Sequence, residues 1–345
     1  MTSDQASERV AVIGSGSWGT TLAIFLAERG TRCSLWVHRE ADAQRMLADR
    51  ENMRFLPDFK LPENLHITTS AAEAVSGSDL VLLVVPMRTL AENLAEIGDL
   101  LSDQAILVSG VKGLDVRTGK RVSQIVKESL GGRPTGGFAT ISGPNLALEV
   151  AVREPTMTVV ASSDGHVAQR VQRVFTAPWF RSYTSDDVVG VELAGSLKNI
   201  VALGAGMSDG LGFGSNARAS LMTRGLAEIT RLGVVAGADP LTFGGLAGIG
   251  DLVATCNSSR SRNHHVGYEL ALGRALDEIT ADMSMVAEGI DTTRGALILA
   301  GTLGVEMPIT EGINDVLSGR LSVEDGVKQL MSRPAGHELK GISRL

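Results

Sequence analysis

The sequence is poor in cysteine and lacks the spacings that mark a metal site. Its 345 residues include two cysteines, Cys33 and Cys256, which stand far apart and outside any metal or redox motif. Six histidines are present, again without zinc-type spacing. We therefore predict no bound metal, and two ordinary reduced cysteines in a reducing compartment.

No excess of positive charge and no long apolar run is present either. The net charge is −7 with both signs interspersed, which argues against nucleic acid or an anionic membrane as the main partner. The first residues are polar and lack the apolar core of a signal peptide. The longest apolar run, "DLVLLVVP" at 79–86, suits a buried strand rather than a membrane span. We expect a cytoplasmic protein.

The first half of the chain alternates between two patterns. Short, nearly continuous apolar runs such as "RVAVIG", "TRCSLWVHR", "QAILVSG", "FATISGP" and "PTMTVVAS" indicate strands buried on both faces. Helical patterns lie between the runs, including one from Glu40 to about Asn52. This alternation predicts an α/β domain over residues 1–187, a Rossmann doubly wound parallel sheet with helices on both faces.

The sequence pattern changes after Asp187. From there on, apolar residues recur at helical spacing, and no segment has a convincing strand pattern. One of these helices is predicted to begin at Asn216 as its N-cap. We predict a C-terminal all-helical domain over residues 188–345.

Three glycines between the first strand and the first helix fit the spacing G-x-G-x-x-G. Gly14 permits a tight turn, Gly16 lets the backbone approach a pyrophosphate, and Gly19 lets helix and strand pack closely. The helix N-terminus also favours an anion. The strand-turn-helix context predicts a dinucleotide site, although a glycine-rich turn without a ligand is the plainer alternative.

The second strand ends in "LWVHRE", where an NAD-binding protein usually has an acidic residue on the ribose hydroxyl. Here His38 and Arg39 occupy that position, and Glu40 comes one step later. A basic pair suits a 2′-phosphate and favours NADP over NAD. Arg39 could instead be solvated, or could stack on the adenine whichever cofactor binds.

Polar residues also follow two later strands. Lys112 comes just after one of them, and Gly143, Pro144 and Asn145 come after another. The carboxyl ends of strands face the ligand crevice in a doubly wound sheet, so these residues are candidates for a site. A plain turn followed by a helix capped by Asn145 would explain the second group equally well.

Two further places carry polar groups in unusual company. Lys198 and Asn199 lie in the apolar helix "LAGSLKNIVALGAGM", where a lysine must snorkel, pair or shift its pKa. Burial and a nearby Lys112 would both lower the pKa of Lys198. Arg260 and Arg262 lie in "SSRSRNHHVG", which is either a phosphate clamp or a solvated basic loop.

Distinctive blocks follow one another along nearly the whole chain. They include "VIGSGSWGTTLA", "LLVVP", "VKGL", "SGPNLALEV", "LKNIVALGAGMSDGLGFGSNARA", "GLAGIGDLVATC", "SRSRNHHVG", "VAEGI" and "GVEMPIT". In these blocks the chain resembles the NAD(P)-dependent glycerol-3-phosphate dehydrogenases of the bacterial type. The resemblance implies an N-terminal Rossmann domain and a C-terminal helical domain.

The resemblance also implies roles residue by residue. Lys198 matches the family's catalytic lysine. Further substrate-site matches are Lys112, Gly143, Asn145, Asp251, Ser261, Arg262 and Asn263. Cofactor matches are Ser17, Trp18, His38, Arg39, Lys112, Ala147, Arg262, Val286 and Glu288. Asn145 departs from many members, which have Ser or Thr there, so its detailed contact is in question.

The implied activity is reversible hydride transfer between NADP or NAD and dihydroxyacetone phosphate, a small phosphorylated substrate, and its product would feed phospholipid synthesis. Two alternatives stay open: a dehydrogenase of the β-hydroxyacid type, and a regulatory protein that senses NAD(P) without turnover. The clamp in "SRSRN" favours phosphate over a carboxylate, and a sensor needs no proton donor such as Lys198. The oligomeric state is also open, with a homodimer as one candidate.

Overall fold

The computed structural model describes residues 8–133, 135–283 and 285–338. These residues form two compact units. The first holds the chain through Val111 together with Val122–Val188, and the second holds Lys112–Arg121 together with the chain from Val189 onward.

An eight-stranded sheet forms the first unit, in the order β5-β2-β1-β6-β7-β8-β9-β10. A separate two-stranded pair joins β3 and β4. The strands are β1 Arg9–Ile13, β2 Arg32–Trp36, β3 Glu51–Asn52, β4 Leu56–Lys60, β5 His66–Thr68, β6 Leu80–Leu83, β7 Ile106–Ser109, β8 Gly137–Ser142, β9 Thr156–Ala161 and β10 Phe180–Ser185.

Six strands of the sheet, from β5 to β8, run parallel, which confirms the predicted doubly wound α/β class. The prediction that every strand is parallel is wrong at one edge. There β9 pairs antiparallel with β8, and β10 follows β9 in the same direction. The connection from β8 to β9 holds a turn and only the five-residue helix Ala147–Ala151, rather than the longer helix that is usual in a parallel crossover.

Alternate residues of each central strand pack into different cores. Val10 and Val12 of β1 face one apolar cluster, whereas Ala11 and Ile13 face the other. Helices cover both faces, as buried parallel strands require. They are α1 Ser17–Glu28, α2 Glu40–Asp49, α3 Ala71–Val75, α4 Leu90–Ile97, α5 Val122–Ser129, α6 Ala147–Ala151 and α7 Gly165–Val174.

The helix predicted to continue to about Asn52 stops earlier. Arg50 adopts a left-handed conformation with φ 48°, which ends α2 at Asp49 and sends the chain into the β3–β4 hairpin. This hairpin carries no strong alternation in the sequence, because most of its side chains in β4 are exposed.

All regular secondary structure in the described part of the second unit is helical, as predicted. They are α8 Val188–Gly210, α9 Ser215–Val235, α10 Pro240–Phe243, α11 Asp251–Cys256, α12 Arg262–Ala271, α13 Leu276–Asp282, α14 Glu288–Leu303, α15 Pro308–Leu317 and α16 Val323–Met331. A π-helical turn, Leu246–Gly250, leads into α11. Asn216 does not cap α9 as predicted, since Gly214 occupies the N-cap and Asn216 lies in the first turn.

The segment after β7 needs a correction. The predicted boundary at 187 places residues 112–121 with the sheet, but they pack with the helices. Leu114 is buried in the helical core, and the Ser196 hydroxyl donates to the Gly113 carbonyl at 3.2 Å. At the end of the segment, the Arg121 guanidinium pairs with the buried Glu192 of α8 at 2.5 Å. Apolar burial and a buried ion pair therefore fix this segment to α8.

Among the helices that the structure describes, α8 alone is long and apolar enough to cross a membrane. However, 89% of its apolar window is buried. Every residue from Gly190 to Ser208 is buried, so α8 is a central core helix that is apolar on all sides.

The backbones of α8 and α12 approach each other very closely. A Cβ atom added at Gly206 would lie 1.9 Å from the His264 carbonyl oxygen, and one at Gly267 would lie 1.9 Å from the Leu203 carbonyl oxygen. At Gly210 an added Cβ would lie 2.7 Å from the Tyr268 carbonyl oxygen. The missing side chains let the two backbones touch, so the position of α12 along α8 is tightly determined.

We predict that Gly206→Ala destabilises the protein by about 3 kcal/mol or more, because the new methyl group meets rigid backbone. The matched control is Gly301→Ala in α14, where an added Cβ meets nothing within 4 Å. That change should stabilise the protein by about 0.5 to 1 kcal/mol, since alanine is the better helix former. Denaturant unfolding of both variants measures the difference. Equal stabilities would contradict the close contact.

Candidate active site

The glycine turn between β1 and α1 has the geometry that its spacing predicts. Gly14 has φ +114°, and an added Cβ would lie 2.7 Å from the Val84 carbonyl oxygen. At Gly19 an added Cβ would lie 2.0 Å from the Gly14 carbonyl oxygen. Gly16 differs, because a Cβ there would meet no protein atom within 4 Å. Gly16 is also the N-cap of α1, so the cap position brings no side chain of its own to the N-terminus of that helix.

The β3–β4 hairpin braces this turn. The Asn52 amide donates to the Ser15 carbonyl and to the Thr20 hydroxyl, both at 2.8 Å, and the Ser17 hydroxyl donates to the Phe55 carbonyl at 2.6 Å. The sequence analysis did not predict these contacts. The one signal for them is Asn52, a buried asparagine in an otherwise polar stretch. The turn is therefore held from outside as well as by its own glycines.

At the end of β2, His38 and Arg39 are both exposed. The His38 ring packs edge-on against Trp36 with the ring centroids 5.7 Å apart. Arg39 is the N-cap of α2, and no ion pair of its guanidinium is found within the described residues. Glu40 is engaged elsewhere, because its carboxylate accepts from Thr69 at 2.9 Å and from Gln44 at 3.0 Å. The Glu40 carboxylate is therefore already hydrogen-bonded, whereas the Arg39 guanidinium is available to bind a ligand.

The turn after β8 carries Gly143 and Asn145, and both residues pack closely against β9. Gly143 has φ +153°, and an added Cβ would be 3.0 Å from the Met157 carbonyl oxygen. The Asn145 amide donates to that carbonyl at 3.0 Å, and its side-chain oxygen accepts from Thr158 at 2.8 Å. Asn145 does not cap α6, whose N-cap is Leu146. Both ends of its amide thus bind β9.

Ala147, the first residue of α6, lies beside the glycine turn's helix. Its carbonyl accepts from the Thr21 hydroxyl of α1 at 3.3 Å. Trp18 extends toward β7, since an added Cβ at Gly110 would lie 3.2 Å from its ring nitrogen. The predicted cofactor residues of the first unit therefore gather around α1 and the carboxyl ends of neighbouring strands.

In the second unit, two predicted lysines meet at one buried carboxylate. The Lys198 amine donates to Asp251 Oδ1 at 2.5 Å, and the Lys112 amine donates to Asp251 Oδ2 at 2.7 Å. Asp251 is 1% exposed and Lys198 5%. Lys112 is on the segment fixed to α8, and Asp251 begins α11 directly after the π-helical turn. Residues from three parts of the chain thus form one cluster.

Thr255 also belongs to this cluster and was missed by sequence reasoning. Its hydroxyl accepts from the Lys198 amine at 2.5 Å. It stands four residues after Asp251 on α11, a spacing that places both side chains on the same helix face. The spacing D-x-x-x-T was therefore a signal that could have found it.

Burial lowers the pKa of Lys198 from its ordinary 10.5 to about 8. The Asp251 carboxylate opposes this by raising the pKa, and the Lys112 ammonium lowers it further. The sequence analysis expected both lowering effects. A buried amine with a pKa of about 8 exchanges its proton near neutral pH, as a general acid or base requires.

The start of α12 carries the other polar group of the second unit. Ser261 is its N-cap and accepts from the His264 backbone N–H at 3.3 Å. The exposed Arg262 donates to the Val286 carbonyl at 2.6 Å, and the buried Asn263 accepts from the Gly289 backbone N–H at 2.9 Å. These bonds join the first turn of α12 to the start of α14, where Glu288 is the first residue. The predicted residues Arg262, Asn263, Val286 and Glu288 therefore lie together.

No cluster of three His, Cys, Asp or Glu side chains suited to a metal ion is found in the ranges described. The functional groups are instead a glycine turn for a dinucleotide, a lysine pair on a carboxylate and an arginine at a helix start. This combination defines the class of NAD(P)-dependent dehydrogenases that join a Rossmann unit to a helical unit.

Comparison with known proteins gives the family within that class. Residues 9–168 match the N-terminal part of NAD-dependent glycerol-3-phosphate dehydrogenase, and residues 187–328 match the C-terminal part. The chain belongs to the NAD-dependent glycerol-3-phosphate dehydrogenase family.

Two bacterial relatives are similar over nearly their whole length. The glycerol-3-phosphate dehydrogenase [NAD(P)+] of Citrifermentans bemidjiense is 49% identical over 95% of this chain and 98% of its own. That of Chlorobium limicola is 46% identical over 96% of this chain and 99% of its own. The crystal structure of the Coxiella burnetii glycerol-3-phosphate dehydrogenase has a TM-score of 0.91 at 36% identity, covering 95% of this chain and 100% of that one. These similarities confirm the family that the sequence motifs indicate.

A ketopantoate reductase of Ralstonia eutropha shares the fold alone, with a TM-score of 0.56 at 17% identity. The two-part architecture is thus found outside the family as well.

We predict opposite shifts of the Lys198 pKa when its two charged neighbours are neutralised. Asp251→Asn should lower the pKa, because the carboxylate that favours the ammonium is lost, and Lys112→Met should raise it, because a repelling charge is lost. Titration of the Lys198 side chain by NMR measures both shifts, with Lys198→Met to assign the signal and Asp315→Asn, on α15, as the unchanged control. Shifts of the same sign would contradict the described cluster.

Proposed function

We propose that the protein catalyses reversible hydride transfer between NAD(P)H and C2 of dihydroxyacetone phosphate, giving sn-glycerol 3-phosphate. The observation that carries the proposal is the buried amine of Lys198, held at 2.5 Å by Asp251 and at 2.5 Å by Thr255, with a pKa of about 8. The family of the chain supplies the substrate class. The product would enter phospholipid synthesis in the cytoplasm, with neither nucleic acid nor a membrane as the partner.

The glycine turn fits a dinucleotide. The open space beside Gly16, where any other residue would place a Cβ atom, and the glycine-capped N-terminus of α1 suit a pyrophosphate. Arg39 is available for a 2′-phosphate. When bound, the nicotinamide supplies the hydride chemistry. The chain's own residues bind the two phosphate-bearing ends and handle the proton.

Lys198 is the proton donor in this proposal. Its ammonium protonates the oxygen on C2 as negative charge develops there, and its neutral amine takes the proton back in the oxidation of glycerol 3-phosphate. Asp251 and Thr255 accept from the amine and so fix the direction of the remaining N–H. Lys112 adds positive charge that favours release of the proton.

Arg262 and Asn263 bind the substrate phosphate in this proposal. The guanidinium offers a fork of donors that matches phosphate oxygens. The Asn263 side-chain oxygen accepts from the Gly289 backbone N–H. The side-chain nitrogen of Asn263 therefore points away from Gly289, and in this proposal it donates to the phosphate. The first turn of α12 adds the positive end of a helix, and Ser261 completes that turn as its cap.

Lys198→Met tests the proposal directly. Turnover of dihydroxyacetone phosphate should fall by about a hundredfold to ten-thousandfold, the usual worth of a positioned general acid. NADPH affinity and folding should persist, because methionine keeps the apolar stem and removes an expensive buried charge. Turnover, NADPH binding and thermal unfolding are measured on the same protein. A folded variant with near-normal turnover would remove Lys198 from the mechanism.

The wild-type pH profile follows from the same group. The ammonium form is required for ketone reduction, so the reduction rate should fall as the pH rises through about 8. Oxidation of glycerol 3-phosphate requires the amine, so its rate should rise over the same interval. Profiles with no opposed change between the two directions would count against Lys198 as the titrating group.

Arg262→Ala should weaken transition-state binding of dihydroxyacetone phosphate by about 2 to 5 kcal/mol, as expected for a lost charged contact. With unphosphorylated dihydroxyacetone the loss should largely vanish. Arg260→Ala, two residues earlier in the turn that precedes α12 and also exposed, is the matched control and should behave as wild type. An equal loss with both substrates would assign Arg262 to the cofactor or to the structure instead.

Cofactor choice tests Arg39. We predict that NADPH serves at least as well as NADH, because a charged contact to the 2′-phosphate is worth about 1.5 to 3 kcal/mol, or roughly tenfold and more. Arg39→Asp should shift the ratio of the two kcat/KM values toward NADH. A wild type that strongly prefers NADH, with an indifferent variant, would show that Arg39 does not bind the phosphate.

A further inference from the structure

A second polar cluster of the helical unit lies outside the groups assigned so far. Asp209, near the end of α8, accepts from Arg218 of α9 through one oxygen, at 3.0 Å from Nε and 2.5 Å from Nη2. Its other oxygen is 2.8 Å from His264 Nε2 on α12. The Asp209 side chain is 18% exposed and that of His264 is 13% exposed. One carboxylate therefore ties together the end of α8, α9 and the first turn of α12.

His264 stands next to the groups proposed to bind phosphate. It follows Asn263 directly, and its backbone N–H donates to the capping hydroxyl of Ser261. Its side chain and its backbone thus fix the same helical turn from two sides. A change in the position of His264 must therefore move Arg262 and Asn263 with it, because all three belong to one turn of α12.

The backbone contact between α8 and α12 runs through the same place. The His264 carbonyl oxygen is the atom that an added Cβ at Gly206 would meet at 1.9 Å. This contact prevents α12 from approaching α8 more closely, and the Asp209–His264 bond prevents it from moving away. Since α8 also carries Lys198, the pair of restraints sets the distance from the proton donor to the start of α12.

We propose that Asp209 is a positioning residue for the phosphate end of the substrate. Acting through His264, it holds the first turn of α12 at one distance from Lys198, so the groups proposed to bind phosphate keep a constant position relative to the proton donor. This inference rests on the proposed phosphate contacts of α12. Asp209 touches neither the substrate nor the amine in this role.

The chain offers a matched control for the test. Asp315 on α15 accepts from Arg320 through one oxygen, at 3.0 Å from Nε and 2.5 Å from Nη2, which are the distances found at Asp209. Within the described residues, this pair has no histidine and no hydrogen bond that links it to α12. Asp315→Asn therefore removes the same kind of ion pair from the same unit without touching the restraint on α12.

The experiment compares Asp209→Asn, His264→Gln and Asp315→Asn on dihydroxyacetone phosphate and on unphosphorylated dihydroxyacetone. The first two should lower kcat/KM for the phosphorylated substrate about tenfold, mainly through KM, because a small displacement of a binding group is enough for such a loss. Their activity on dihydroxyacetone should stay within about twofold of wild type, and the pH midpoint of turnover should not move. Asp315→Asn should match wild type on both substrates.

Several results would overturn the proposal. Equal losses on both substrates, an altered pH midpoint, or wild-type behaviour in both variants would each do so. His264→Gln leaves Asp209 paired with Arg218, so it carries the test should Asp209→Asn unfold, and loss of folding in both variants would make the cluster a structural support only.

Arg262→Ala in the same assay keeps the two proposals apart. If it shows no phosphate-dependent loss, the assignment of phosphate binding to α12 fails. If it shows that loss while Asp209→Asn does not, only the positioning role fails.

Discussion

A single buried carboxylate organises the chemistry of the helical unit. Asp251 is almost fully buried and accepts hydrogen bonds from two lysine amines. The lysines therefore compensate its negative charge in a place that solvent does not reach. Two ammonium groups on one carboxylate leave a surplus positive charge, and losing a proton from the more buried amine relieves it. The same arrangement that admits a lysine to an apolar helix also makes that lysine acidic enough to exchange its proton near neutral pH.

Close backbone contact is the second constraint, and both units use it. In the sheet unit, Gly19 lets α1 touch the turn that precedes it, and in the helical unit Gly206 and Gly267 let α8 and α12 touch. In each case a helix is held where its first turn can meet an anion. Gly16 has the opposite property, since its missing side chain leaves space beside the protein rather than filling it. Glycines at similar spacing therefore have different functions, which only their surroundings distinguish.

Much of the fold, and many residues of the candidate site, could be predicted because they leave local signals. Buried strands leave apolar runs, the glycine turn leaves a fixed spacing, and Lys198 is conspicuous in an apolar helix. The antiparallel direction of β9 leaves no such local signal. A strand's direction depends on the connection that precedes it, and its apolar pattern is the same in a parallel and in an antiparallel pair. The contacts of Asn145 and Thr255 depend on partners distant in sequence, and the antiparallel strand that holds Asn145 was itself unforeseen.

The ten-residue segment Lys112–Arg121 has a consequence for how this chain tolerates rearrangement. They contribute Lys112 and Leu114 to the helical unit and end in the Arg121–Glu192 pair, yet they are encoded between two elements of the sheet. The helical unit is therefore discontinuous in the gene. A chimera of two relatives joined at residue 188 would combine a segment from one parent with the helices of the other, and a fragment of the helices alone would expose the apolar surface that Leu114 covers. Recombination within this fold should succeed only where the segment and α8 come from the same parent.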